Sequence, residues 1–355
     1  MTGFSAPVAD HSWSYEQKLV NDYLARAIEE FDTNRLAAQL MRRLSHEVPG
    51  RFLTAAMHHL SGGGTSNALR HLTILVLHQD DSLEGLTDPD LGSRESAVNL
   101  FKRFLEIDPA FDIRLARKLP DRRGSNYYEA LDAVRSTRAL DILDQTSCGR
   151  RLLPVVGHLV DHRNNRISAK ATLFVGRRVQ NPSWTAKQLT QPDARVRANA
   201  VEALWGVDSP AAAGILEDCS GDRNHRVVGN SLLGLHLLGR TEIDRRVIDM
   251  SIAGSYEMRS TAAWLLGRMA GQDSIDCLTR LVKDDHPQVR SRALWSLLEI
   301  HRTKAKSPES VAAQAAISSP DATTATSEEA AEVLSDQEPE MTVDLRLDGS
   351  RFRVR

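Results

Sequence analysis

A repeat of 31 residues is the feature of this 355-residue sequence that most restricts the fold it can adopt. The same residue types, apolar or small, return at that interval in three registers. These registers are Val196, Val227, Met258 and Val289; Ala200, Ser231, Ala262 and Ala293; and Leu204, Leu235, Leu266 and Leu297. Self-similarity with a period of about 20 to 50 residues marks proteins built as arrays of one supersecondary unit. The sequence therefore predicts an array, not a single globular core.

Each repeat unit is predicted to contain two helices. The three registers fall at i, i+4 and i+8 with a small residue in the middle, which is the spacing of one helical face. A second set of apolar residues lies between them, also in register: Leu216, Val247 and Leu278, then Cys219, Met250 and Leu281. One helix pair cannot bury its own apolar stripe, so neighbouring pairs must stack. We predict an all-α superhelix, a solenoid of antiparallel helix pairs, over residues 151–302.

The units resemble the HEAT-repeat family, in particular the bacterial HEAT-like repeats of the phycobilisome-lyase type. The second helix of that type opens with an Asp, then Val-Arg, then a small residue, as in DARVRANAVEALWG from Asp193. The resemblance is strong over about 193–300 and weaker from 151. It implies a ladder of ion pairs between adjacent units, which would involve Arg197, Arg259, Arg290, Asp222 and Asp284. Val228 departs from this pattern.

Composition divides the rest of the chain into four segments. Residues 1–13 are expected to be disordered. Residues 14–150 carry irregular amphipathic helices, either as degenerate repeats or as a separate N-terminal helical domain. Residues 303–341 have no aromatic residue, and the stretch from 307 to 344 holds nine acids and no Lys or Arg. Such a segment predicts an acidic flexible linker.

The last segment, residues 342–355, is predicted to form a β-hairpin. Apolar and polar residues alternate on both sides of an Asp-Gly pair, which suits a two-residue turn because Gly adopts positive φ. The turn and the apolar face would consist of Val343, Leu345, Asp348, Gly349, Phe352 and Val354. Because an isolated hairpin is marginally stable, it is expected to dock on the solenoid or on a partner's sheet edge. The alternative is a frayed tail whose alternation is accidental.

Tryptophans are the strongest candidates for a binding surface. Trp264 and Trp295 are 31 residues apart, and Trp205 aligns with His236 of the next unit. Second helices line the inner surface of a HEAT solenoid, and tryptophan dominates many protein interfaces. The predicted strip contains Trp205, His236, Trp264, Trp295, Glu202 and Leu233. The alternative is that each tryptophan fills the groove between adjacent units.

The sequence offers no catalytic constellation and no motif for a metal or a cofactor, so we do not expect an enzyme. Its three cysteines are widely spaced, which argues against a disulfide framework and a cysteine metal site. No apolar run approaches the roughly 20 residues that span a bilayer, and the N-terminus lacks the features of a signal peptide. We therefore expect a cytoplasmic location without membrane contact.

The leading functional hypothesis is a scaffold or adaptor that binds another protein, with the hairpin as a tethered second contact. The first alternative is nucleic-acid binding, as in HEAT-like DNA-repair proteins with a basic groove. The basic residues concerned are Arg163, Arg166, Lys170, Arg177, Arg178, Arg195, Arg197, Arg223 and Arg226. Residues 151–303 hold 21 basic against 16 acidic side chains, and a net charge of +5 is low for such a domain. A bilin-lyase-type activity is the least favoured alternative.

Overall fold

The computed structural model of the chain describes residues 13–305, with gaps at 63, 80–81, 89–92, 121–130, 147–148 and 241. The described residues contain 18 α-helices and no strand. The helices are α1 (Tyr15–Glu29), α2 (Arg35–Glu47), α3 (Pro49–Ser61), α4 (Asn67–Leu77), α5 (Ser82–Thr87), α6 (Arg94–Ile107), α7 (Phe111–Arg117), α8 (Ala133–Gln145), α9 (Leu153–Val156), α10 (Asn165–Val179), α11 (Pro182–Gln188), α12 (Ala194–Glu202), α13 (Pro210–Cys219), α14 (His225–Leu237), α15 (Ile243–Ser251), α16 (Tyr256–Met269), α17 (Gln272–Leu281) and α18 (Pro287–Ala305). Short 3₁₀ segments, Arg150–Leu152 and Gly157–Asp161, flank α9.

Two predicted segments lie largely or wholly outside the described residues. These are the N-terminal segment up to residue 12 and the hairpin of residues 342–355. Most of the predicted linker is also outside. Its start at residue 303 is wrong, however, because α18 continues to Ala305.

Second helices of successive units begin in the same way. Asn164, Asp193, Asn224 and Ser255 occupy equivalent positions and are the N-caps of α10, α12, α14 and α16. Each side chain accepts a hydrogen bond from a backbone N–H two or three residues later, which satisfies a donor that the helix itself leaves unpaired. The cap position therefore follows the repeat although only one of the four residues is the Asp of the family pattern.

The second helices form the continuous part of the packing. Helix α10 packs on α12, α12 on α14, and α14 on α16, while α13 and α15 each pack on the second helix that follows them. The small residues of the middle register, Ala200, Ser231, Ala262 and Ala293, are completely buried. This arrangement confirms the prediction of an all-helical repeat array whose units share apolar faces.

Glycine allows some of these helices to approach very closely. A Cβ atom at Gly229 of α14 would lie 2.4 Å from Thr261 Cγ2 of α16. One at Gly176 of α10 would lie 2.5 Å from Ala203 Cβ, directly after α12. Both distances are far below van der Waals contact, so any larger residue would push the helices apart.

Residues before the clear repeats are also helical and contact them. Helices α1 to α8 bury a group of phenylalanines that includes Phe52, Phe101, Phe104 and Phe111, and α8 packs on α10. Pro49 is the first residue of α3, where a missing N–H costs nothing. Residues up to Leu297 cluster into one compact unit, and a second unit begins at Leu298 within α18.

Candidate functional site

Two of the predicted binding tryptophans pack against each other. The rings of Trp205, just after α12, and Trp264, on α16, stack with centroids 6.4 Å apart and planes 27° apart. The Trp205 Nε1–H donates a 2.8 Å hydrogen bond to the carbonyl oxygen of Asn230 on α14. Both residues are half-buried. The two side chains therefore lie between the second helices of three successive units. This is the arrangement expected if the tryptophans fill the grooves between units.

Two other members of the predicted strip are not freely available either. Leu233 is only 5% exposed, so its placement beside an exposed strip is wrong. Its burial follows from its position on α14, which has a second helix on each side. Glu202 is half-buried and accepts a 2.7 Å hydrogen bond from Arg177 Nη2. Burial raises the pKa of Glu202 in spite of the nearby Arg177 charge.

Trp295 is in a different environment from its equivalents. It is 60% exposed on α18, and its neighbour Leu294 is 48% exposed. One repeat earlier, Trp264 is half-buried and Ala263 is fully buried. One repeat before that, Leu232 is buried as well. The α18 face, defined here as Leu294 and Trp295, thus presents to solvent the positions that the preceding units bury.

The predicted ladder exists as two rungs. Arg197 donates from Nε and Nη2 to both carboxylate oxygens of Asp222, each at 3.2 Å. Arg259 does the same to Asp284, at 2.7 and 2.9 Å. Arg290 donates to the backbone carbonyls of Asp284 and Asp285.

Each rung also organises two turns of the chain. Arg259 Nη1 donates to the carbonyls of Ala253 and Gly254 in the turn before α16. Asp284 Oδ1 accepts from the backbone N–H of His286 in the turn before α18. The hydrogen bond from Arg259 holds the pKa of Asp284 below its ordinary value. These rungs stabilise the stack of units and leave no group free for a ligand.

Much of the predicted basic groove is neutralised by ion pairs. Lys170 binds Asp141 at 2.5 Å, and Arg178 binds Asp144 at 2.9 Å. Arg177 contacts both Asp144 and Glu202. Arg197 is in the ladder. The remaining five basic residues are exposed, namely Arg163, Arg166, Arg195, Arg223 and Arg226.

A small cavity lies beside His236, another predicted binding residue. It has a volume of about 200 Å³, and its lining includes Asp244, Ile248, Met269 and Asp273. The two acids belong to first helices, α15 and α17, and are 29 residues apart, so they are not equivalent positions of the 31-residue repeat. The repeat in the sequence therefore does not predict this cavity.

Other chemical possibilities find little support among the described residues. No three His, Cys, Asp or Glu side chains in this part of the chain are grouped so that they could hold a metal ion. Burial raises the pKa of the Cys219 thiol to about 11, so it is protonated at neutral pH. In the same residues, no helix combines the length and apolarity required to cross a bilayer.

Comparisons with known proteins point to one kind of repeat. Residues 247–335 match the sequence model of a family described as HEAT repeats. That match does not distinguish the bilin-lyase type. The sequence matches no curated protein. A crystal structure described as an engineered protein is 12% identical, covers 81% of this chain and 95% of its own, and superposes with a TM-score of 0.30.

Proposed function

We propose that this chain, whose residues 247–335 match the HEAT-repeat family model, is a scaffold that binds another protein, and not an enzyme. HEAT repeats commonly serve as protein-interaction scaffolds. The proposal includes a cytoplasmic location. It also keeps the C-terminal hairpin as a tethered second contact, because the linker would raise the effective concentration of that contact.

The observation that carries the proposal is the exposure of the α18 face. Burying a large apolar side chain stabilises a protein or a complex by about 1.5–3 kcal/mol. Burying the exposed Leu294 and Trp295 against a partner would therefore contribute substantially to the free energy of binding. At the equivalent positions of the preceding units, neighbouring helices of the array provide that burial. A helix of a partner can pack there in the same manner.

Charge around the α18 face indicates the chemistry of the partner. Arg290 and Arg292 lie within one turn before it on the same helix, and both are exposed. An amphipathic helix with apolar residues at its centre and acidic residues at its edge would complement this surface.

The test uses matched pairs of exposed apolar residues. Tagged wild-type protein and the Leu294→Ala/Trp295→Ala variant are used to capture partners from native lysate, with quantitative mass spectrometry. Truncating a tryptophan at an interface centre costs about 2 kcal/mol or more, which is roughly a 30-fold loss of affinity. We expect at least one wild-type partner to be lost.

The control is Leu237→Ala/Ile252→Ala, which removes side chains that are 55% and 75% exposed elsewhere. This variant should retain every partner. Retention of all partners by the Leu294→Ala/Trp295→Ala variant, with its helix content unchanged, would contradict a role for the α18 face.

A further inference from the structure

The cavity beside His236 has a distinct chemical composition. It lies where the end of α14 and the end of α16 meet the beginnings of α15 and α17. Ile248, Leu266 and Met269 provide apolar surface, and Asp244 and Asp273 provide carboxylates. Both acids are exposed, whereas Leu266 is buried. The cavity is thus apolar at depth and acidic where it meets solvent.

Its size limits what can enter. Pockets for cofactors and drug-sized ligands have volumes of about 300–1,000 Å³. This cavity has about 200 Å³, which is the space of about six or seven waters at roughly 30 Å³ each. It is therefore too small for a nucleotide or a similar cofactor, and one long side chain would fill it.

The lining of the cavity is negatively charged. No Lys or Arg lines it. Asp244 and Asp273 lie in the first turns of α15 and α17, whose N-termini lack a side-chain cap. Each helix end contributes about half a positive charge, and two carboxylates contribute two negative charges. The carboxylates outweigh these partial positive charges, and the C-terminal ends of α14 and α16 add partial negative charge, so the cavity suits a cation.

The acids are also free to bind. Within the described ranges, neither Asp244 nor Asp273 forms an ion pair with another residue of the chain. Helix N-termini favour carboxylates, so the position of both side chains is favourable without a ligand. A divalent metal ion is a poor candidate, because no group of three metal-ligating side chains occurs in this part of the chain.

We propose that this cavity binds the side chain of a lysine or arginine that a partner protein presents. The aliphatic stem packs on Ile248 and Met269, and the cationic head lies between Asp244 and Asp273. This inference rests on the proposed function, because it supposes a protein partner. It identifies a further contact with the partner, which is separate from the α18 face and from the hairpin.

The test uses a small probe and needs no partner. Full-length protein with ¹³C-methyl methionine is titrated with the amide of N-acetyl-arginine, and the Met269 signal is assigned through Met269→Leu. The amide of N-acetyl-citrulline is the neutral probe of the same shape. We expect a saturable shift of Met269 with the arginine probe, and an affinity at least about tenfold lower for citrulline, which corresponds to the loss of one charge-assisted contact.

Variants separate this site from nonspecific attraction and from the α18 face. Asp244→Asn/Asp273→Asn should abolish the arginine-dependent shift, whereas Asp208→Asn/Asp218→Asn, at exposed acids elsewhere, should preserve it. Leu294→Ala/Trp295→Ala should also preserve the shift, although this variant is expected to lose a partner protein. Equal shifts with arginine and citrulline, no Met269 shift, or an unchanged response in Asp244→Asn/Asp273→Asn would overturn the proposal.

Discussion

At the scale of residues, one arginine position does most to connect adjacent units. Arg259 satisfies two backbone carbonyls of one turn and both carboxylate oxygens of Asp284 in the next. Its side chain and that of Asp284 are 17% and 8% exposed, so the pair is shielded from solvent much more than a surface ion pair. Arg290 occupies the equivalent position, where it contacts backbone carbonyls.

Replacing Arg259 should therefore cost more than replacing Arg290. Hydrogen bonds to charged groups contribute about 1.5–3 kcal/mol, so we expect Arg259→Met to lower the free energy of unfolding by about 2 kcal/mol or more. Arg290→Met should lower it by about 1 kcal/mol or less. Urea unfolding measures both. Equal losses would show that the contact between Arg259 and the Asp284 carboxylate adds nothing to the free energy of unfolding.

The same pair predicts a dependence on pH. The pKa of Asp284 is below its ordinary value of 3.8 in the folded protein, so its carboxylate stabilises the fold fully above that value. This contribution disappears as the pH falls through the lower, folded pKa. In Arg259→Met the acid-side loss of stability should be correspondingly smaller. An identical acid limb in both proteins would be inconsistent with the rung.

At the scale of elements, the sequence predicts second helices better than it predicts the rest. Their registers are imposed by burial between neighbouring units, so the 31-residue period is visible. Helix α5 was not predicted, because a helix of six residues has too few positions to show a period.

Close approach between second helices gives a test at this scale. Gly229→Ala places a methyl group 2.4 Å from Thr261 Cγ2, and such overpacking costs about 1–3 kcal/mol. Gly214→Ala, on α13, meets no atom within 4 Å and should stabilise the protein by about 0.5–1 kcal/mol. Thermal or urea unfolding should give opposite signs for the two variants. Stabilisation by Gly229→Ala would mean that α14 and α16 are not this close.

At the scale of the whole molecule, the sequence predicts the array but not its binding surface. Trp264 and Trp295 are equivalent in the repeat, yet the first stacks on Trp205 and the second is mostly exposed. The difference depends on which helices lie beside each one, and a repeated sequence motif does not contain that information. For the same reason, Leu233 and Glu202 were predicted at a surface that neighbouring units largely cover.

Site-specific photo-crosslinking tests the central claim, that the α18 face binds a partner protein, most directly. A benzophenone amino acid replaces Trp295 in one protein and Ile252, which is even more exposed, in another. Illumination in the native cell extract should attach a distinct partner at position 295 and not at position 252. A partner site on the α18 face is contradicted if position 295 gives no product, gives the same products as position 252, or links only two copies of this chain.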